Sequence, residues 1–231
     1  MKGAQDVLVR SYVAPMFATN CWVIANEARG ECIIIDPGAA QMSSIEDGGI
    51  CDEVQLIISE EGLKPVAALL THGHLDHTFS IKPLADGYDI PTYIHSEDRP
   101  YIAQPSAILS PEFASHLGAL HFEEPRNVAN LKDGAQLEFI GLNLRAIHAP
   151  GHTKGSLMFM VNDEILISGD VLFAGSIGRT DLPSGSASDM KKTLRTKVLP
   201  LDDEIRVLPG HGSETTIKLE RKYNPFLREL A

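Results

Sequence analysis

Along the chain, apolar and polar positions first trade places singly: "VLVRSYV", residues 7–13, has the two-residue period of a half-buried strand. "NCWVIAN" and "ECIIIDPG" continue that pattern, the second closing in a Pro-Gly turn after Asp36. The period then changes. "EVQLIISEEGL" spaces its apolar residues as a helix does, with Gly62 and Pro65 beyond its end. "VAALLTH" is a short unbroken apolar run, the pattern of a strand buried on both faces. A helix is predicted over residues 78–86, then a strand at "PTYIH". Residues 100–130 show no clear period and carry prolines at 100, 105, 111 and 125. The strand pattern returns in "QLEFI", "LNLRAIHAP", "SLMFMV" and "EILISGD". A helix in "SDMKKTLRTKVL", a strand in "EIRVLPGHG" and a closing helix near "ETTIKLERK" complete the chain. Strand clusters and helices in both halves predict an α/β protein of layered sheets flanked by helices. No short repeat recurs and no Gly/Ser- or Pro-rich linker intervenes, so residues 1–231 read as one domain.

Composition narrows the function classes. The 231 residues are 43% hydrophobic, enough for a substantial core. Lys and Arg number 20 against 31 Asp and Glu, a net charge of −11. That balance argues against a nucleic-acid-binding face and against contact with an anionic membrane. The opening "MKGAQDVLVRSYVAP" lacks the apolar segment of a secretory signal. No stretch approaches the roughly 20 apolar residues that span a bilayer. Cys21, Cys32 and Cys51 are odd in number and not in metal-binding spacing. They read as reduced thiols of a cytoplasmic protein.

The candidate chemistry lies where strands end. "LLTHGHLDH", residues 69–77, places His72, His74, Asp76 and His77 directly after an apolar run. In extended chain, residues i and i+2 point the same way, so His72 and His74 can converge on one ion. Asp76 and His77 lie further round the turn and can serve a second. A single four-coordinate site would strain the adjacent Asp76 and His77. "HAPGHTKGS" puts His148 and His152 after another strand, with Gly151 permitting close backbone approach. "LISGD" ends at Asp170, and "VLPGHG" ends at His211 between glycines. Alone, His211 reads as a turn histidine and Asp170 as a cap, but the HxHxDH cluster changes both readings. Five imidazoles and two carboxylates supply seven donors. With Asp170 bridging, one ion takes His72, His74 and His152, and the other takes Asp76, His77 and His211. Two divalent ions, two carboxylates and one hydroxide leave a charge of about +1, suited to polarising a carbonyl. Nitrogen and oxygen donors without thiolate favour zinc, with iron or manganese as alternatives.

These motifs resemble the metallo-β-lactamase superfamily, and within it the glyoxalase II-like hydrolases. The likeness runs through "IIIDPG", "LLTHGHLDH", "APGHT", "SGD", "GSIGRTDLPSG" and "LPGHGSETT". It implies a four-layer αββα sandwich with a binuclear site at one edge, holding the seven donors named above. It also implies that Asp36 supports the metal ligands from behind, and that His95 and His148 are structural. Arg179 and Asp181 pair to brace the loop after Asp170, in preference to Arg179 meeting an anionic substrate. Three departures stand out. Only residues 212–231 follow His211, where glyoxalase II proper has a longer helical region for glutathione, so glutathione specificity is not carried over. Ser184 replaces the usual glycine after "DLP". Residues 100–130 match poorly and are expected to border the substrate mouth.

The activity so implied is hydrolysis of a small-molecule thioester, a 2-hydroxyacyl thiol such as lactoylglutathione. A metal-bridging hydroxide attacks the acyl carbonyl, oriented by Asp76 or Asp170. A thiolate leaving group needs little protonation, which suits a site with no evident general acid. No G-x-S-x-G elbow offers a serine nucleophile. The rivals are a mononuclear iron persulfide dioxygenase, against which "GSETT" after the last histidine speaks, and a non-enzymatic metal-binding protein. A β-lactamase and a nuclease fit less well, the first for want of a signal peptide and the second because of the charge. The oligomeric state is left open.

Overall fold

Strands whose two faces are both apolar organise the first sheet. The computed structural model describes residues 7–15, 17–26, 30–38, 52–117 and 120–230; the residues before Val7 and Cys51, read above for a leader and a thiol, lie outside them. Strands β1 (Val7–Ala14), β2 (Thr19–Asn26), β3 (Glu31–Ile35), β4 (Lys64–Leu69), β5 (Thr92–His95) and β6 (Val128–Leu131) lie side by side in that order. The first three are antiparallel, and β3 to β6 run parallel. Parallel neighbours need crossovers. Helix α1 (Asp52–Glu60) precedes β4, and α2 (Leu75–Thr78) and α3 (Ile81–Tyr88) precede β5. Residues 100–130 fold into α4 (Pro100–Ala103), a 3-10 turn (Pro105–Ile108) and α5 (Pro111–His116) before β6.

The second sheet holds β7 (Gln136–Phe139), β8 (Leu142–His148), β9 (Leu157–Val161), β10 (Ile165–Gly169), β11 (Arg206–Pro209) and β12 (Thr215–Thr216), in the spatial order β12-β11-β10-β9-β8-β7. It is antiparallel except at β10 and β11. Helix α6 (Ala187–Thr193), continued by a π-helical turn over Leu194–Val198, makes that crossover. Helices α7 (Ile217–Tyr223) and α8 (Pro225–Arg228) close the chain. Among the described residues no helix is long and apolar enough to cross a membrane.

Burial shows the layering. Trp22, Ile24, Ile33 and Ile35 of the first sheet meet Leu144, Leu157 and Phe159 of the second. Cys21, Val23, Cys32 and Ile34 face the other way, onto Val54 and Ile58 of α1 and Ile81 and Leu84 of α3. Met158, Met160 and Leu166 pack against Met190, Leu194 and Ile217. The result is the four-layer αββα sandwich.

Two expectations need correction. The alternating half-buried pattern does not hold: β1 is partly buried over Val7 to Val9 with Val13 exposed, β2 is buried at every position and β3 at all but Glu31. For β2 and β3, helices outside and a sheet inside leave no solvent face. The helix expected over residues 78–86 is two helices separated at Phe79 and Ser80. Pro83 lies in the first turn of α3, and its ring would clash with the carbonyl of Phe79 in a continuous helix. By contrast, Gly62 ends α1 as expected, at φ +62°, with Leu63 N–H donating to Ile58 O at 2.8 Å.

Candidate metal centre

Parallel strands bring their carboxyl ends to one edge, where ligand sites gather. From the first sheet come Asp36 after β3 and the HxHxDH segment after β4. From the second come His152 after β8, Asp170 after β10 and His211 after β11. The chain bends at Thr71 after β4 and is extended again at His74, with φ −66° and ψ 144°, and the His72 and His74 rings come to 4.8 Å of one another. The single turn of α2 then carries His77 back over His72, their ring centroids 4.1 Å apart. Glycine is needed where these segments touch: a Cβ at Gly210 would fall on the Asp170 carboxylate and lie 2.8 Å from the His77 ring.

Three imidazoles form a near-equilateral group. The His72–His74, His72–His152 and His74–His152 ring centroids are 4.8, 4.8 and 4.6 Å apart, the planes steeply inclined. A second group joins His77 Nε2 to His211 Nε2 at 3.3 Å, with Asp76 Oδ2 at 3.4 Å from the first nitrogen and 3.3 Å from the second. Asp170 lies between them. Its Oδ1 is 3.4 Å from His77 Nε2, and its Oδ2 is 3.4 Å from both His152 Nε2 and His211 Nε2. Donors bound at about 2.05 Å around a tetrahedral ion stand about 3.3 Å apart, which is this spacing.

The outward nitrogens fix the tautomers. His77 Nδ1 donates to Asp36 Oδ2 at 2.9 Å, and His152 Nδ1 donates to Arg179 O at 2.8 Å. Thr71 Oγ1 gives its proton to Asp36 Oδ2 at 2.6 Å, so at 3.0 Å it accepts from His72 Nδ1. His211 Nδ1 donates to Ala18 O at 3.3 Å. In their neutral form all four therefore turn Nε2 inward as the free lone pair. His74 is the exception, presenting Nδ1 at 2.8 Å from His152 Nε2. Two lone pairs at that distance repel unless a proton or a cation lies between them. His72 Nε2 and Asp170 Oδ1 are buried with no hydrogen-bond partner. The donor set thus fits divalent cations.

Charge within the site is divided unevenly. Burial and the neighbouring His77, His152 and His74 hold His72 well below the usual imidazole range. Burial and His152 pull His74 down to about 3, against Asp76 and Asp170. Burial also opposes charge on His77, but Asp76, Asp170 and Asp36 outweigh it and raise the ring to about 9. At His211 burial is outweighed by hydrogen bonds to Asp170 and Asp76, which raise it to about 10. Burial pushes Asp76 and Asp170 up, yet the surrounding histidines hold both below the ordinary carboxylate range.

All seven expected donors meet here, and Asp36 stands behind His77 as the resemblance implied. Arg179 pairs with Asp181 through two bonds of 2.8 Å, an exposed brace within its own loop. The contact it makes to the centre is its backbone carbonyl, on His152. His95 and His148 stay apart from the group and stack on each other at 4.2 Å and 5°. Ser184 takes φ +78°, where glycine is unstrained, and its hydroxyl accepts from Lys154 N at 3.0 Å. Sequence reading missed Thr19, whose hydroxyl donates to Asp76 Oδ2 at 2.9 Å, and the buried Asp98 and Asn20. No motif spacing marks them, since their partners are distant in sequence.

The centre opens into a cleft of about 460 Å³. Phe17, Leu75, Leu109, Phe173 and Leu182 line it with Ser110, and Arg179 is the only Lys or Arg among the described lining residues. Leu109 and Ser110 place part of the irregular segment on the wall of this cleft.

A family model described as the metallo-beta-lactamase superfamily matches residues 14–211. An uncharacterised protein of Mycobacterium leprae is 40% identical, over 97% of this chain and 100% of its own length. A Haemophilus influenzae protein named hydroxyacylglutathione hydrolase GloC is 35% identical, over 91% of this chain and 93% of its own. Among solved structures, the BLEG-1 B3 metallo-beta-lactamase has a TM-score of 0.78 at 30% identity, over 95% of this chain and 99% of that one. TTHA1623, solved in a di-iron-bound form, has a TM-score of 0.75 at 31% identity, over 95% and 100%. ETHE1 from Myxococcus xanthus, at 23% identity and a TM-score of 0.73 over 94% and 83%, shares the fold.

Proposed function

The chain belongs to the metallo-beta-lactamase superfamily, and we propose that it is a binuclear hydrolase cleaving a small-molecule thioester of the 2-hydroxyacyl-thiol class. The approach of the Asp170 carboxylate to donors of both groups, His152 of one and His77 and His211 of the other, carries this reading. His72, His74 and His152 would hold one ion, Asp76, His77 and His211 the other, and Asp170 would touch both. Zinc suits the donors best, with iron or manganese as alternatives, and the di-iron form of TTHA1623 supports a pair of ions. When bound, such ions supply a water nucleophile at neutral pH, by lowering water's pKa from 15.7 towards about 7, and positive charge for the developing oxyanion.

The chain's own residues do the rest. The ionised Asp76 or Asp170 accepts a hydrogen bond from the attacking water and aims its lone pair at the acyl carbonyl. Leu75, Leu109, Phe173 and Leu182 exclude bulk water from the acyl group. Outside the donor groups no described lining residue is a carboxylic acid, so a leaving group that departs unprotonated is favoured. A thiolate meets that condition, an amine does not. The 35% identity to the Haemophilus hydroxyacylglutathione hydrolase supports the acyl class.

The test is metal analysis of protein purified without added metal, followed by two assays on zinc- and iron-loaded protein. Close to two ions per chain, and cleavage of a lactoyl thioester on zinc without oxygen, is the expected result. Oxygen uptake with sulfite formation from glutathione persulfide on iron alone, without thioester turnover on either metal, would make it a mononuclear dioxygenase. Metal uptake with neither activity would make it a non-enzymatic metal-binding protein.

A further inference from the structure

Asp98 follows β5 and is wholly buried, its carboxylate taken up by three donors. Oδ2 accepts from Gly73 N at 3.0 Å and from Thr153 Oγ1 at 2.6 Å, and Oδ1 accepts from Gly155 N at 2.8 Å. Gly73 stands between His72 and His74, and Thr153 follows His152. One carboxylate therefore ties together the two segments that supply the three-imidazole group. Because the Thr153 hydroxyl donates to Asp98, Ser156 Oγ donates to it in turn at 2.8 Å and accepts from Thr153 N at 3.0 Å. There is no slack: a Cβ at Gly155 would lie 2.5 Å from Asp98 Oδ1, and one at Gly73 2.7 Å from Asp98 O.

The other group has a separate clasp. Asn20, at the start of β2, donates its backbone N–H to Gly210 O at 2.7 Å. Its Nδ2 donates to Pro209 O at 3.0 Å and to Gly212 O at 2.8 Å, and Trp22 Nε1 also donates to Pro209 O at 3.0 Å. These bonds span the turn that carries His211. Neither Asn20 nor Asp98 hydrogen-bonds a ring or carboxylate of the seven donors; each holds the backbone that aims them.

Resting on the binuclear reading above, we propose that Asp98 and Asn20 are positioning residues with divided duties, Asp98 for the His72–His74–His152 group and Asn20 for the His211 side of the other. Partners that hydrogen-bond the ligands themselves are worth about 10–100-fold in metal affinity because they fix ligand orientation, which sets the upper limit for residues acting through the backbone.

Cobalt(II) and zinc(II) titrations of the full-length metal-free protein test this, with cobalt followed by its visible absorption. Asp98→Asn keeps the side chain's size and replaces one acceptor oxygen with an N–H donor. It is expected to weaken one of the two ions, by up to about 100-fold, and leave the other near wild type. Asn20→Ala is expected to weaken the other ion instead. A His211→Ala background fixes the assignment, since its surviving ion sits with the three imidazoles. There, Asp98→Asn weakens the remaining ion and Asn20→Ala does not change it. Thr153→Val removes one donor while keeping bulk, and Trp22→Phe removes one at the cost of a small cavity in the core; both show the same division more weakly if thermal melts find the first variants unfolded. Equal weakening of both ions by each variant, or cobalt spectra and affinities matching the wild type, would overturn the proposal. A wild-type chain that takes up one ion would overturn the binuclear reading, and this assignment with it.

Discussion

Asp170 is the residue on which the centre turns, since its two oxygens face His77 on one side and His152 and His211 on the other. Asp170→Ala is expected to remove activity and loosen both ions, measured as metal retained after dialysis. His148→Ala is the control. His148 stacks on His95 and donates to Lys154 O at 2.8 Å, so its loss should leave metal content near normal. If it strips metal as thoroughly as Asp170→Ala, the donor assignment is wrong. Asp36 acts one step back, orienting His77 and, through Thr71, His72. Asp36→Ala should lower metal affinity by about 10–100-fold without removing any donor.

At the scale of elements, two glycines separate fold from site. Gly62 ends α1 at φ +62° with nothing within 4 Å of an added Cβ. Gly62→Ala therefore meets backbone strain alone, about 1 kcal/mol of stability, with metal content unchanged. Gly210, between β11 and His211, would drive its Cβ into Asp170 and the His77 ring. Gly210→Ala should cost about 1–3 kcal/mol by overpacking and release metal as well. Thermal melts with and without zinc distinguish the two, because only the Gly62 variant keeps the full metal-induced shift. The segment after the 3-10 turn behaves differently again. Leu109 lines the cleft and is not one of the donors, so Leu109→Ala should change KM among thioesters and leave metal stoichiometry alone.

For the molecule as a whole, metal uptake and proton release are linked. With His77 raised to about 9 and His211 to about 10 by the surrounding carboxylates, both rings hold protons at pH 7 before an ion enters. Binding needs their neutral nitrogens, so it displaces protons, about two if both rings ligate. The sign follows: affinity on the Asp76–His77–His211 side falls as pH falls and rises with pH up to about 9 to 10. Calorimetric zinc titrations in buffers of different ionisation enthalpy would read the protons directly. No release at pH 7 would mean that both rings are already neutral there, or that the ions bind elsewhere.

The sequence by itself determined the local part of this architecture. Two imidazoles from alternate residues of an extended chain, and two further donors one helical turn on, are set by backbone geometry within His72 to His77. The strand and helix periods were legible for the same reason, as was the stop at Gly62. Even the break before α3 is written in Pro83, whose clash reaches only four residues back. Only the tertiary structure decided the rest. His152, Asp170 and His211 reach the first cluster because two sheets stack and β10 and β11 run parallel, contacts across 75 to 139 residues that no period encodes. That stacking also buries β2 on both faces, where alternation alone implied a solvent side. It places Asp98 and Asn20 behind the centre by hydrogen bonds to backbone atoms and, for Asp98, to the Thr153 hydroxyl, partners distant in sequence that no local spacing marks.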